Sequence, residues 1–164
     1  VLSAGVPMFF MGEEVAAARE VHFDRPFEGR EDLVGLAHGI GSRTFRWWKT
    51  LIGLRRRSRC LREASVEILH TSDVDRTLVF RRALDDEEFL VVASLRNHAH
   101  QGPDHVQSEA IADGSWKVVA TNLTAESWGE TVVPPGAVLK SQGGRLTSVV
   151  PVAGVVVLER VEGV

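Results

Sequence analysis

The sequence predicts a mainly β chain: an antiparallel β-sandwich over residues 61–164, preceded by a mixed strand and helix unit over residues 1–60. Three observations lead there. Short runs rich in Val, Thr and Leu recur beyond residue 61, separated by Gly, Pro, Asn and Asp turns. The charge balance reverses near the same point, from ten Lys/Arg against seven Asp/Glu to nine against fifteen. Residue usage shifts there too, from Trp, Arg and Ala to Val, Thr and Gly.

Composition bounds the rest. With 164 residues, 44% hydrophobic and 25% charged, the chain can bury a core without covalent staples. A net charge of −3 argues against a general nucleic-acid binder. The single cysteine, Cys60, excludes a disulfide framework and a multi-cysteine zinc site. No apolar run approaches the roughly 20 residues of a membrane helix, and the basic-then-apolar layout of a signal peptide is missing. A cytoplasmic location without a membrane partner is the expectation. Val1 stands where an initiator methionine would, which suggests a piece excised from a longer protein.

The elements follow in order. Residues 6–11, Val-Pro-Met-Phe-Phe-Met, form a continuous apolar run closed by Gly12, as expected of a strand buried on both faces. Residues 15–20 suit a short helix, and residues 23–41, with Pro26 and four glycines, read as a long loop. Ser42 suits the N-cap of the next helix. Phe45, Trp48 and Ile52 mark its apolar stripe, broadened by Trp47, Leu51 and Leu54. The basic run Arg55-Arg56-Arg57-Ser58-Arg59 ends it, where cations favour the negative end of the helix dipole. A solvated helix terminus is favoured there over a phosphate site. Strands are expected at 65–69, 77–84, 88–95, 106–112, 116–121, 131–133, 137–140, 146–150 and 155–160.

Few residues carry chemistry. No serine sits in a Gly-x-Ser-x-Gly elbow. The arginines before Cys60 would lower its thiol pKa, but no histidine stands at a motif spacing. His98, His100 and His105 could approach a metal, yet without acids or cysteines at ligand spacing a polar loop is favoured, and no metal or cofactor is expected. Glu13 and Glu14 directly follow the expected strand, at the mouth where α/β barrels build active sites. Adjacent glutamates cannot straddle a glycosidic bond alone, so a supporting or structural role is favoured. Trp116 and Trp128 offer faces for sugar stacking, Trp128 the more so because it lies among turn-forming residues; a core position is the commoner fate of both.

Gly-Val-Pro-Met-Phe-Phe-Met-Gly-Glu-Glu at residues 5–14 resembles the eighth-strand segment of the α-amylase family of glycoside hydrolases, family 13. Residues 19–27, Arg-Glu-Val-His-Phe-Asp-Arg-Pro-Phe, are similar to the following loop in 1,4-α-glucan branching enzymes. Residues 46–57 resemble the last barrel helix, and residues 90–95, 114–119 and 155–158 resemble strands of the C-terminal β-domain. Ser94-Leu95 replaces the Asn-Phe of that pattern, and Thr121-Asn122-Leu123-Thr124 matches the usual Asn-Ser/Thr-Asp only loosely.

The resemblance implies a (β/α)₈ barrel remnant over 1–60 and a C-terminal β-sandwich domain over 61–164. It implies the C-terminal part of an enzyme that branches 1,4-α-glucan in glycogen or starch metabolism, inert alone because the catalytic carboxylates would lie upstream. The alternatives are a fragment of an α-amylase or trehalohydrolase-type hydrolase, or a stand-alone glycan-binding or structural β-domain. Glycogen, starch or maltooligosaccharides would be met through the parent enzyme. Glu13 and Glu14 would border its cleft, and Trp47 and Trp48 would pack the last helix. The exposed barrel remnant offers a surface for dimer formation.

Overall fold

The computed structural model describes the chain apart from residues 20–21, 26–27, 29–30, 97–104, 123–132, 148–152 and 163–164. It divides into two compact units: Val1 with Val6–Arg57, and Leu2–Gly5 with Ser58–Val164.

The first unit contains a 3₁₀ turn, Glu13–Val15, and two helices, α1 (Leu33–His38) and α2 (Ser42–Arg57). Helix α1 lies inside the stretch expected to be a loop. Asp32 caps it by accepting from the Gly35 amide at 2.8 Å, which outweighs the glycine within it. Helix α2 occupies its expected span, but Ser42 is its first helical residue and the Phe45 amide donates to the Gly41 carbonyl at 2.9 Å. Its buried residues are Leu51 and Leu54, whereas Ile52 is 38% exposed. Val15 is buried, and a Cβ on Gly41 would fall 2.2 Å from its carbonyl oxygen, so only glycine allows that approach.

The apolar run does not form the expected buried strand. Residues 6–10 carry no regular secondary structure, and Val6 and Met8 are each 94% exposed. A strand buried on both faces needs hydrogen-bonded neighbours and covering helices. Among the described residues the first unit holds no strand to pair with.

The second unit is β-rich. Strands β1 (Glu67–Ser72), β2 (Thr77–Leu84), β3 (Glu87–Ser94), β4 (His105–Gln107), β5 (Gly114–Thr121), β6 (Val138–Gln142), β7 (Arg145–Thr147) and β8 (Gly154–Val161) form one sheet. Its order is β1-β2-β3-β8-β5-β6-β7-β4, and every neighbouring pair is antiparallel. The last strand of the chain lies mid-sheet, pairing with β3 and β5. Val79, Leu90, Val92, Val106, Trp116, Val118, Leu146, Val156 and Leu158 share one buried cluster. Strands β2 and β4, six places apart in the sheet, thus contribute to one core.

Two strand expectations change. Residues 108–112 are not strand: Ser108 turns the chain, its carbonyl accepting from the Ile111 amide at 3.0 Å and its amide donating to the Gly144 carbonyl. Val133 lies outside any strand, while residues 131–132 and 148–150 fall outside the described residues.

A short helix not anticipated from sequence, α3 (Cys60–Glu63), packs on β2 and β3. Cys60 and Leu61 are fully buried. Val79 points into the core, so its neighbours Phe80 and Arg82 face the opposite side of the sheet, where Arg82 meets α3.

Candidate functional site

Glu13 and Glu14 lie together on the 3₁₀ turn, and both carboxylates fold back onto the chain. Glu13 Oε2 accepts from the Phe10 amide at 3.1 Å, and Glu14 Oε2 accepts from the Gly12 amide at 2.9 Å. The turn needs this support, because Gly12 and Ala16 on either side adopt positive φ values of 97° and 54°. The carboxylates therefore shape the turn on which they sit. Glu13 stays exposed and Glu14 half-buried.

Aromatic rings flank the turn. Phe9 and Trp48 stand 5.0 Å apart between centroids, and Phe10 and Phe23 6.1 Å. Phe9 and Phe10 are about half exposed, and Phe23 is 82% exposed. Exposed rings beside carboxylates can stack on sugar faces and accept from sugar hydroxyls. Reading residues 6–11 as a buried strand hid this patch; the run of rings just before Gly12-Glu13-Glu14 was its only trace.

A cleft belongs to the β-rich unit. It measures about 550 Å³ and opens at one end of β2, β3, β5 and β8, lined by Asp85, Asp86, Glu87, Glu88, Asp113, Glu162, Arg81 and Arg160 among others. Buried Glu88 bridges both guanidiniums, with Arg81 Nε donating at 2.5 Å and Arg160 Nη1 at 2.9 Å. Arg81 also reaches Glu67 at 3.0 Å. The arginines are thus committed to cross-linking strands. Among the described residues no aromatic ring lines this cleft, so they offer no stacking platform for sugar there.

The remaining candidates are dispersed. Trp116 is fully buried and donates Nε1–H to Ser141 Oγ at 2.9 Å, which makes it a core residue. Trp128, His98 and His100 lie outside the described residues. Among the described residues no group of three or more His, Cys, Asp or Glu could hold a metal ion. Burial pushes the Cys60 thiol up to about 11, against the lowering influence of Arg82. The arginines that precede it in sequence do not activate it: Arg59 pairs with Glu63 and Asp85, and Arg55 donates to the Val1 carbonyl. Among the described residues no helix is long and apolar enough to cross a membrane.

The architecture has counterparts among solved structures. One is CldA, a cyclomaltodextrin glucanotransferase with a three-domain ABC distribution, at TM-score 0.60 and 17% identity, over 99% of this chain and 30% of that one. Another is the α-amylase of Geobacillus thermoleovorans in complex with acarbose, at TM-score 0.60 and 15% identity, over 99% and 31%. The likeness is one of fold. This chain spans less than a third of the length of either protein. No family model matches the sequence, and no curated protein matches it.

Proposed function

We propose that the chain is the C-terminal part of an enzyme that acts on α-1,4-glucan, and that its parent is a branching enzyme. One coincidence carries the reading. The resemblance in residues 5–14 and the fold likeness, spanning 99% of the chain, lead to the same class; the two fold counterparts are a cyclomaltodextrin glucanotransferase and an α-amylase. The Glu13–Glu14 turn with its rings suits a glucan better than the acidic cleft, which has no ring among the described residues.

In this reading the parent breaks an α-1,4 bond by double displacement. A carboxylate attacks the anomeric carbon while an acid protonates the departing sugar oxygen. A sugar 6-hydroxyl, giving its proton to the now deprotonated acid, then displaces the carboxylate and restores the configuration. Those carboxylates belong to the parent. Glu13 and Glu14 shape a turn at the edge of its cleft, and the β-rich unit is a structural cap; a stacking face on Trp128 belongs to the alternative, a glycan-binding β-domain.

Amylose tests the reading. Incubated with the parent, it should lose iodine staining without gaining reducing ends; new reducing ends would replace branching by hydrolysis. The 164-residue chain alone should do neither, and turnover by it would refute the non-catalytic assignment. Titrating the chain with maltoheptaose while following tryptophan fluorescence should give a flat response to millimolar sugar. A saturable change abolished by Trp128→Ala, with stability intact, would make the β-rich unit a glycan-binding module instead.

A further inference from the structure

The chain leaves the β-rich unit after Gly5 and re-enters it at Ser58. One buried side chain touches both places. Arg82, on β2, is fully buried. Its Nη1 donates to the Leu2 carbonyl at 2.8 Å and to the Leu61 carbonyl at 3.2 Å. Its Nη2 donates to the Cys60 carbonyl at 3.3 Å and also to the Ala64 carbonyl.

We propose that Arg82 is a two-ended clamp, holding the Leu2–Gly5 strap and the α3 turn through one guanidinium. The planar guanidinium suits the task because its donors lie in a rigid fork that serves carbonyls on two sides at once. A lysine ammonium is a point charge with three donors and cannot span them.

The two ends differ in strength. The bonds to Cys60, Leu61 and Ala64 are buried, whereas the bond to Leu2 is only partly buried. Water can replace the Leu2 carbonyl but not the α3 carbonyls without opening the unit. The strap is therefore the releasable end, and it lets go while α3 stays seated. The clamp needs no sugar chemistry and stands apart from the glucan reading.

Both acceptors that share Nη1 are leucines, which makes the clamp visible by NMR in the full chain labelled with carbonyl-¹³C leucine and ¹⁵N arginine. The Arg82 guanidinium should show couplings across hydrogen bonds to both Leu2 and Leu61. Added urea should remove the Leu2 coupling before the Leu61 coupling. In Arg82→Lys the Leu2 and Leu61 carbonyl shifts should both move upfield, while that of Leu146 in β7 stays in place. Coupling to Leu61 alone, or loss of both couplings at one urea concentration, would overturn the clamp or its order of release. So would an unmoved Leu2 carbonyl in Arg82→Lys. The couplings are read on the unaltered chain and decide the matter even if that variant does not fold.

Discussion

Replacing Glu87 with glutamine should destabilise the β-rich unit by an amount that disappears in acid. Glu87 opens β3 and holds the start of α3 through three hydrogen bonds. Its Oε2 accepts from Ser58 Oγ at 2.5 Å and the Cys60 amide at 3.2 Å, and its Oε1 from the Arg59 amide at 3.2 Å. A four-residue helix cannot satisfy its own first amides, so the carboxylate does what a capping side chain does elsewhere. A carboxamide keeps one acceptor and turns an N–H₂ toward donors, losing at least one charge-assisted bond. Such a loss costs about 1.5–3 kcal/mol. For a unit of this size that lowers Tm by roughly 6–20 °C.

The sign of the pH dependence follows from the shift. Burial opposes ionisation of Glu87, but hydrogen bonds from Ser58, Cys60 and Arg59 overcome it and hold the carboxyl below its ordinary 4.5. A lowered folded pKa means that the stabilisation is complete above 4.5. It is lost as pH falls from there through the folded value. Urea unfolding of the wild type and Glu87→Gln between pH 7 and pH 2 measures this directly. The difference between the two should be constant from neutrality down to about 4.5 and shrink below it. A difference under about 0.5 kcal/mol at pH 7, or one that persists unchanged into acid, would refute the capping argument.

Two further outcomes follow from burial. Trp116→Ala should cost about 3–5 kcal/mol, because a fully buried ring is deleted and Ser141 loses the Nε1–H donor, and equilibrium denaturation measures it. Cys60, with its thiol pushed up to about 11, should resist a water-soluble disulfide reagent at pH 8 in the folded chain. It should react promptly in urea, as absorbance of the released thiolate records.

Local signals sufficed wherever an element is defined by its own pattern. Helix α2 follows from its apolar spacing and its basic end, and β2 from its run of residues, because a helix stripe and a strand's alternation are written within a few turns of chain. The mainly β, antiparallel class followed from the rhythm of turns between short strands. Cys60 shows where such reading stops. The arginines before it in sequence suggest an acidified thiol, but its surroundings in space bury it and reverse the shift.

What the sequence by itself determined, then, is the span of α2, the strands β2, β3, β5, β6 and β8 and the antiparallel class, since those patterns are set by neighbours a few residues away. Only the tertiary structure decided that β8 lies mid-sheet, that Glu87 caps α3 from 27 residues away, and that Arg82 reaches Leu2 across 80. It likewise decided that residues 6–10, whose exposure the sequence already suggested, form no strand. A strand's burial and a carboxylate's partner are properties of what is packed against them, and such pairings leave no trace in the spacing of residues along the chain.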